Sequence, residues 1–269
     1  MLQLAELAAG NLDKIRARKP LIHNITNFVV MNFTANVLLA AGASPVMAHA
    51  DNEVEEMAGF AGALVLNIGT LTDIWVEAML KAGRRCTVLG TPIILDPVGC
   101  GATLLRTSSA RRILQETSIS IVRGNSSEIL ALRDELTKTH GVDSLHTVDE
   151  AAEVAVALAG ELGCTLAITG PVDLVTDGQR VLRVANGHPL MPFVTGTGCA
   201  ATALIGAFAA VDDDPVTATA TALAYFGLAG EKAGASAAGP GSFMVNLLDA
   251  LYTLTPEDLR AGCRITSDF

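Results

Sequence analysis

The sequence has few charged side chains and no cluster of basic ones. Only 17% of its 269 residues are charged, and 18 lysines and arginines stand against 28 acidic residues, which gives a formal net charge of −10. Nucleic-acid binding needs clustered cations that neutralise phosphates, so this composition argues against it. A small phosphate-bearing ligand could still be bound by backbone amides, a few cations and Mg²⁺.

Signals for disulfides, export and membrane insertion are also missing. The five cysteines are widely spaced and form no Cys-x-x-Cys pair, which favours reduced thiols and a cytoplasmic protein. The N-terminus lacks the basic-then-apolar order of a signal peptide. Residues 21–50 contain no Lys, Arg, Asp or Glu, but amide side chains interrupt the run, so we expect a buried segment and no membrane association.

Short β-branched runs alternate with helical patterns along the chain. The early runs are apolar on both faces, as in a buried parallel sheet, and the Asp177-Gly178 turn predicts an antiparallel hairpin over 173–185 at the sheet edge. No linker or repeat divides the sequence. We therefore predict one domain over residues 1–269, an α/β fold with an open, mostly parallel sheet and helices on both faces.

The predicted elements can be given by residue number. Strands are expected at 20–26, 44–48, 63–69, 91–97, 118–124, 164–170, 173–178 and 180–185. Helices are expected near 3–16, 27–41, 51–61, 72–89, 105–117, 125–134, 148–162, 199–211, 215–236 and 243–253, with a short final helix after Thr255. The predicted N-caps are Asp51, Thr72, Asn125 and Thr255.

The stretch VTGTGCAA, residues 194–201, combines two glycines with a thiol. Gly196 and Gly198 allow positive φ and close approach of a ligand, and the amides that open the next helix favour an anion. The same helix N-terminus should lower the pKa of Cys199, which suits a base or a nucleophile. The alternatives are tight helix–strand packing and a buried structural cysteine. A dinucleotide fingerprint is disfavoured because a second helix follows.

Two further motifs carry carboxylates at element ends. Asp96 ends a buried strand before a Gly-rich turn, a position suited to Mg²⁺ or, alternatively, to turn formation. In IVRGNSSEI, Arg123 offers a guanidinium to phosphate. Asn125 and Glu128 form a capping-box pattern, and Glu128 could also serve as a second carboxylate near the metal.

Other polar and aromatic residues complete the candidate set. In open α/β sheets ligands bind beyond the carboxyl ends of the strands. Asn24, Met47, Asn67 and Thr169 are predicted to lie there with the motifs above. Trp75 is expected to be a core residue of a helix.

Five segments, in this order, resemble the hydroxyethylthiazole kinases of thiamine salvage over nearly the whole chain: PLIHNITNFVVMNFTANVLLAAGASPVMA, LDPVGCGAT, IVRGNSSEI, AITGPVDLV and VTGTGC. The resemblance implies the ribokinase-like fold and phosphorylation of the hydroxyl of 4-methyl-5-(2-hydroxyethyl)thiazole with ATP and Mg²⁺. It also implies a homotrimer with sites at subunit interfaces. A kinase of another small alcohol, such as a hydroxymethylpyrimidine, and an NAD-type binding protein remain alternatives.

The resemblance also implies roles for individual residues. Cys199 matches the catalytic position, where related kinases carry an aspartate base. The implied substrate contacts are Met47 and Gly196, with Asn24 close by. The implied ATP contacts are Arg123, Thr169, Asn125 and Gly198, and the implied metal ligands are Asp96 and Glu128.

Overall fold

A computed structural model describes residues 2–133 and 148–268 of the chain. Its elements in chain order are α1 Leu2–Arg18, β1 Leu21–Ile25, α2 Met31–Ala41, β2 Ser44–Val46, α3 Val54–Ala58, β3 Ala63–Asn67, α4 Asp73–Leu89, β4 Ile93–Asp96, α5 Leu104–Glu116, β5 Ile121–Gly124, α6 Ser126–Arg133, α7 Val148–Leu162, β6 Thr165–Ile168, β7 Asp173–Thr176, β8 Val181–Val184, a 3₁₀ turn Met191–Phe193, α8 Thr197–Ala209, α9 Pro215–Gly234, α10 Pro240–Thr253, α11 Pro256–Gly262 and β9 Ile265–Ser267.

Within the described ranges the strands form one sheet in the order β2-β1-β3-β4-β5-β6-β7-β8-β9. The strands from β2 to β6 pair in parallel, and β7, β8 and β9 add antiparallel. The mostly parallel sheet is thereby confirmed. The hairpin β7–β8 was wrongly predicted to lie at the edge, because β9, a three-residue strand with one buried side chain, covers it.

Helices pack on both faces of the sheet, each over its own apolar core. One core joins the sheet to α1, α2, α8, α9 and α10, and the other joins it to α3, α4, α5, α6 and α7. The helix α8 is apolar all round, with every residue from Ala200 to Phe208 buried. This burial brings the start of α8, the VTGTGC motif, to the carboxyl ends of the central strands.

Two of the predicted N-caps, Thr72 and Thr255, are confirmed, and a third, Asp51, is wrong. Thr72 and Thr255 accept hydrogen bonds from the first turns of α4 and α11, as predicted. Asp51 was wrongly predicted as a cap: α3 starts after Glu53 without a side-chain cap, and Asp51 instead pairs with Lys81 at 2.6 Å. The predicted helix end at residue 134 lies outside the described residues, and the single domain over 1–269 stays a prediction.

No helix among the described residues is both long and apolar enough to cross a bilayer.

Candidate active site

The carboxylate of Asp96 lies at the centre of a buried polar network. Asp96 ends β4 and is completely buried. Its Oδ2 accepts hydrogen bonds from Asn67 Nδ2 and Thr202 Oγ1, both at 2.8 Å, and Arg123 Nη1 lies 3.8 Å away. Burial raises the pKa of Asp96 to about 6, although Arg123 and the two hydrogen bonds oppose the rise. Its Oδ1 is buried without a partner.

Two amide side chains connect this carboxylate to the thiol of Cys199. Asn67 Oδ1 accepts a hydrogen bond from Asn27 Nδ2 at 2.8 Å, and Asn27 Nδ2 lies 3.6 Å from the Cys199 sulfur. The backbone N–H of Gly69 donates to Asn67 Oδ1, and that of Val29 donates to Asn27 Oδ1. Because a backbone N–H can only donate, these two bonds fix the orientation of both amides. The Cys199 sulfur therefore faces a donor and acts as an acceptor.

The lowered pKa predicted for Cys199 is wrong. Cys199 is the third residue of α8 and is partly buried. Desolvation raises the pKa of its thiol to about 11, and the charge of Asp96 adds to the rise. Hydrogen bonds from Asn67 and Asn27 and the charge of Arg123 act in the opposite direction but do not cancel it. The thiol is therefore protonated near neutral pH.

Glu128 ties two loops of the site together. Its Oε1 accepts a hydrogen bond from the N–H of Gly99 at 2.8 Å, and its Oε2 accepts one from the N–H of Asn125 at 2.9 Å. Asn125 Oδ1 in turn accepts from the N–H of Glu128, so the predicted capping box is confirmed. The Glu128 charge is close enough to contribute to the raised pKa of Asp96.

The two carboxylates fit a magnesium ion that arrives with phosphates. Among residues 2–133 and 148–268, no group of three or more His, Cys, Asp or Glu side chains could hold a metal on its own. Mg²⁺, however, typically takes one or two protein carboxylates and completes its shell with water and phosphate oxygens. The unpartnered Oδ1 of Asp96, with Glu128 nearby, provides such a pair.

A cavity of about 730 Å³ opens on one side of the start of α8. Its lining includes the four residues predicted to contact ATP, namely Arg123, Asn125, Thr169 and Gly198. Arg123 donates a hydrogen bond to Thr169 Oγ1. A Cβ at Gly198 would lie 2.7 Å from Arg123 Nη1, so the guanidinium occupies its place only because residue 198 is glycine.

The far wall of the cavity, residues 186–193, was not found from the sequence. The N–H of Gly187 and the side-chain amide of Asn186 both donate to Glu231 Oε1, at 2.9 and 3.1 Å. The wall lies directly on α9, since a Cβ at Gly227 would be 2.5 Å from the Asn186 backbone. The repeated glycines of α9 are the sequence signal for this close approach.

Asp173 is a second cavity residue that the sequence analysis missed. It begins β7, lines the cavity, and accepts a hydrogen bond from the N–H of Gly170 at 2.9 Å. Burial raises the pKa of Asp173 to about 7, while the Gly170 hydrogen bond and the charge of Arg123 oppose the rise. Its position at a strand start gave no local hint of the cavity.

Gly196 and Cys199 face a different part of the chain, the turn 27–30. Gly196 has φ +88°, and a Cβ there would lie 2.9 Å from Val30 Cγ1. The turn therefore packs directly on the glycine motif, and it also carries Asn27 to the Cys199 sulfur.

The predicted substrate residues Met47 and Asn24 have different environments. Met47 follows β2 and is partly exposed, with its carbonyl oxygen 3.1 Å from His49 Nδ1. Asn24 is completely buried inside β1, where its Nδ2 donates to the Ile22 carbonyl. The structure thus brings Asn27, and not Asn24, to Cys199, because Asn24 lies within the strand while Asn27 lies beyond its end.

Comparison with known proteins gives a match over nearly the whole chain. A family model described as hydroxyethylthiazole kinase family matches residues 12–257. The hydroxyethylthiazole kinase of Desulfotalea psychrophila is 66% identical, over 98% of this chain and 97% of that protein. The solved hydroxyethylthiazole kinase of Pyrococcus horikoshii is 47% identical, with a TM-score of 0.91 over 97% of this chain and 99% of that one.

A more distant solved structure shows the fold alone. A ribokinase-like superfamily protein from Enterococcus faecalis is 12% identical, with a TM-score of 0.63 over 95% of each chain. The ribokinase-like fold expected from the sequence is confirmed by these structures.

We expect Gly198→Ala to raise the KM for ATP at least about tenfold. The added Cβ would displace the Arg123 guanidinium, and its predicted hydrogen bond to ATP would be lost. Hydrogen bonds to charged groups are worth about 1.5–3 kcal/mol. Gly160→Ala is the matched control, because a Cβ there meets no atom within 4 Å. Steady-state kinetics of both variants, with circular dichroism, make the test. An unchanged KM for ATP in Gly198→Ala would contradict this placement of Arg123.

Proposed function

Because the chain belongs to the hydroxyethylthiazole kinase family, we propose a role for each part of the site in its ATP-dependent reaction. The protein phosphorylates the hydroxyl of 4-methyl-5-(2-hydroxyethyl)thiazole in thiamine salvage, so this function, predicted by resemblance, is confirmed. The roles rest on one observation: the cavity and the Cys199 thiol lie on different faces of the start of α8.

ATP is assigned to the cavity lined by Arg123 and Thr169. Its volume, about 730 Å³, is in the range of small-molecule sites. The phosphates would point to the start of α8, where unpaired amides and the helix dipole favour an anion. Arg123 supplies a fixed positive charge there, since it is held by Thr169 and faces Asp96.

Asp96 and Glu128 are proposed to hold Mg²⁺ together with the phosphates. When bound, the ion would neutralise charge on the phosphoryl group that is transferred. The protein keeps Asp96 available for this role, because Asn67 and Thr202 bind Oδ2 and leave Oδ1 unpartnered.

The acceptor alcohol is assigned to the Cys199 face of α8. Thr197, Gly198 and Ala201 line the cavity. Successive residues of an α-helix are rotated by about 100° around its axis. The side chain of Cys199 therefore points roughly 150° away from the mean direction of these three cavity-lining positions. Phosphoryl transfer needs the attacking and leaving oxygens roughly in line. An alcohol beside Cys199 would therefore meet the phosphate from the side opposite the nucleotide.

Cys199 is proposed as the group that accepts the hydroxyl proton. With a pKa of about 11, only a small thiolate fraction is present at neutral pH. A loose transition state needs little help from a base, because positioning and charge neutralisation contribute most of the catalysis. The small thiolate fraction of Cys199 is therefore enough for a base in this reaction.

The protein is further proposed to be a cytoplasmic homotrimer. Besides the family resemblance, the edge strand β2 is partly exposed along its length. Leu39 on α2 and Val245 on α10, two helices that pack together, are 58% and 56% exposed. Burial of such apolar surface between subunits is a common reason for association.

Sedimentation equilibrium at micromolar concentration should show a trimer, and a fully active monomer would contradict this.

We expect Asp96→Asn to lower kcat by about 10² or more at limiting Mg²⁺, because charge neutralisation at the phosphates is a main source of catalysis. The melting temperature should stay equal or rise near pH 7. The folded-state pKa of Asp96 is raised, so its ionised form costs stability above that pKa and a neutral isostere does not. Asp249→Asn on the exposed face of α10 is the control. A Mg²⁺ dependence like that of the wild type would exclude the metal role.

The base assignment for Cys199 is tested by the pH dependence of kcat. With a thiol pKa near 11, kcat should rise close to tenfold per unit between pH 7 and 9, above the titration of Asp96. Cys199→Ser should lower kcat about 10²-fold. Cys199→Asp should keep substantial activity, and its kcat should level off at a lower pH than that of the wild type, since a carboxyl group ionises at a lower pH than a thiol in the same surroundings. A flat wild-type profile with an active serine variant would show that Cys199 is only a packing residue.

A further inference from the structure

Three aromatic side chains meet beyond the carboxyl ends of β1, β2 and β3. Phe28, His49 and Trp75, here called the aromatic cluster, come from the segments that follow these strands. The ring centroids of Phe28 and His49 each lie 4.7 Å from that of Trp75. Trp75 is only 7% exposed, as predicted for a core residue, whereas Phe28 is 62% exposed. A buried indole thus supports a phenyl ring that faces outward.

The aromatic cluster is connected to the thiol of Cys199 through Asn27. Phe28 directly follows Asn27, whose side-chain nitrogen is 3.6 Å from the Cys199 sulfur. The N–H of Phe28 donates to Thr70 Oγ1 at 3.1 Å, so the turn is held from the β3 side as well. The backbone of Phe28 is therefore held directly beside Asn27, the residue that contacts the group proposed to receive the hydroxyl proton.

The cluster also lies on the acceptor side of α8. None of its three residues lines the nucleotide cavity, and the turn that carries Phe28 packs against Gly196 through Val30. If the hydroxyl of the alcohol reaches the phosphate from the Cys199 face, as proposed above, the ring that carries this hydroxyl would lie against the turn 27–30.

We propose that the ring of Phe28 is the wall on which the aromatic ring of the acceptor alcohol rests, with Trp75 as its support. The inference depends on the acceptor site assigned to the Cys199 face. A flat heteroaromatic ring gains from offset or edge-on contact with another ring, in addition to the apolar area that it buries. Phe28 would then determine specificity, favouring primary alcohols that carry an aromatic ring over aliphatic alcohols of equal length.

The sequence contains a single tryptophan, so the intrinsic fluorescence at tryptophan wavelengths reports on the aromatic cluster alone. Titration with the thiazole alcohol, without ATP, should change the Trp75 emission to saturation in the wild type. Phe28→Ala should need about tenfold more alcohol to reach half of its change, the scale of one lost aromatic contact. Phe60→Ala is the matched control, because Phe60 is 68% exposed and precedes β3 at the opposite edge of the sheet.

Kinetics separate a specificity role from a structural one. Phe28→Ala should raise the KM for the thiazole alcohol about tenfold, with the KM for ATP and the saturated kcat within about twofold of the wild type. Phe28→Tyr should restore the KM, since the ring is kept.

The proposal is overturned if Phe28→Ala and Phe60→Ala have the same KM for the alcohol, or if the alcohol leaves Trp75 emission unchanged. A change in sedimentation of Phe28→Ala with an unaltered KM would likewise overturn it and identify Phe28 as a subunit contact. A wild-type protein without turnover on the alcohol would instead contradict the kinase function itself.

Discussion

The burial of the Asp96 carboxylate is the constraint on which the rest of the site depends. A carboxylate at the end of a completely buried strand loses its hydration, and an unpaired charge there would be very costly. Two hydrogen-bond donors, Asn67 from β3 and Thr202 from α8, and the positive charge of Arg123 from β5 surround it. These partners make the charge tolerable and bring the ends of their elements together, and so they build the site.

Two partners of Asp96, Arg123 and Asn67, connect it to different parts of the site. Arg123 extends from Asp96 to the cavity assigned to ATP, where its guanidinium fits only beside glycine at residue 198. Asn67 extends in the other direction, through Asn27 to the sulfur of Cys199. One buried carboxylate thus links the side assigned to ATP with the side assigned to the alcohol, and its Oδ1 has no hydrogen-bond partner.

Cys199 shows how a local rule is overridden by its surroundings. A helix N-terminus favours a thiolate, typically by less than 1 kcal/mol at exposed positions. Here the thiol is partly buried and shares its surroundings with the Asp96 charge, and together they raise its pKa to about 11. The energetic preference of the helix start is smaller than the cost of a second negative charge in the same low-dielectric region. A reactive thiolate is therefore not built into this site.

The sequence by itself determined the structural features that depend only on residues close together along the chain. Buried strands, the capping box of Asn125 and Glu128, and the cap at Thr72 follow from hydrophobic patterns and from side chains within three residues of each other. The motifs at Asp96, Arg123 and Gly198 were recognisable for the same reason. The resemblance carried by those motifs was enough to identify the family.

Only the tertiary structure decided which of these residues meet. Asn27 and Asn67 are 40 positions apart, and Asp96 and Thr202 are 106 apart, so no local pattern pairs them. The far wall of the cavity, the covering strand β9 and the aromatic cluster depend on similarly distant contacts. The raised pKa of Cys199 belongs with them, because desolvation is set by everything that surrounds a side chain, while a sequence motif shows only what precedes and follows it.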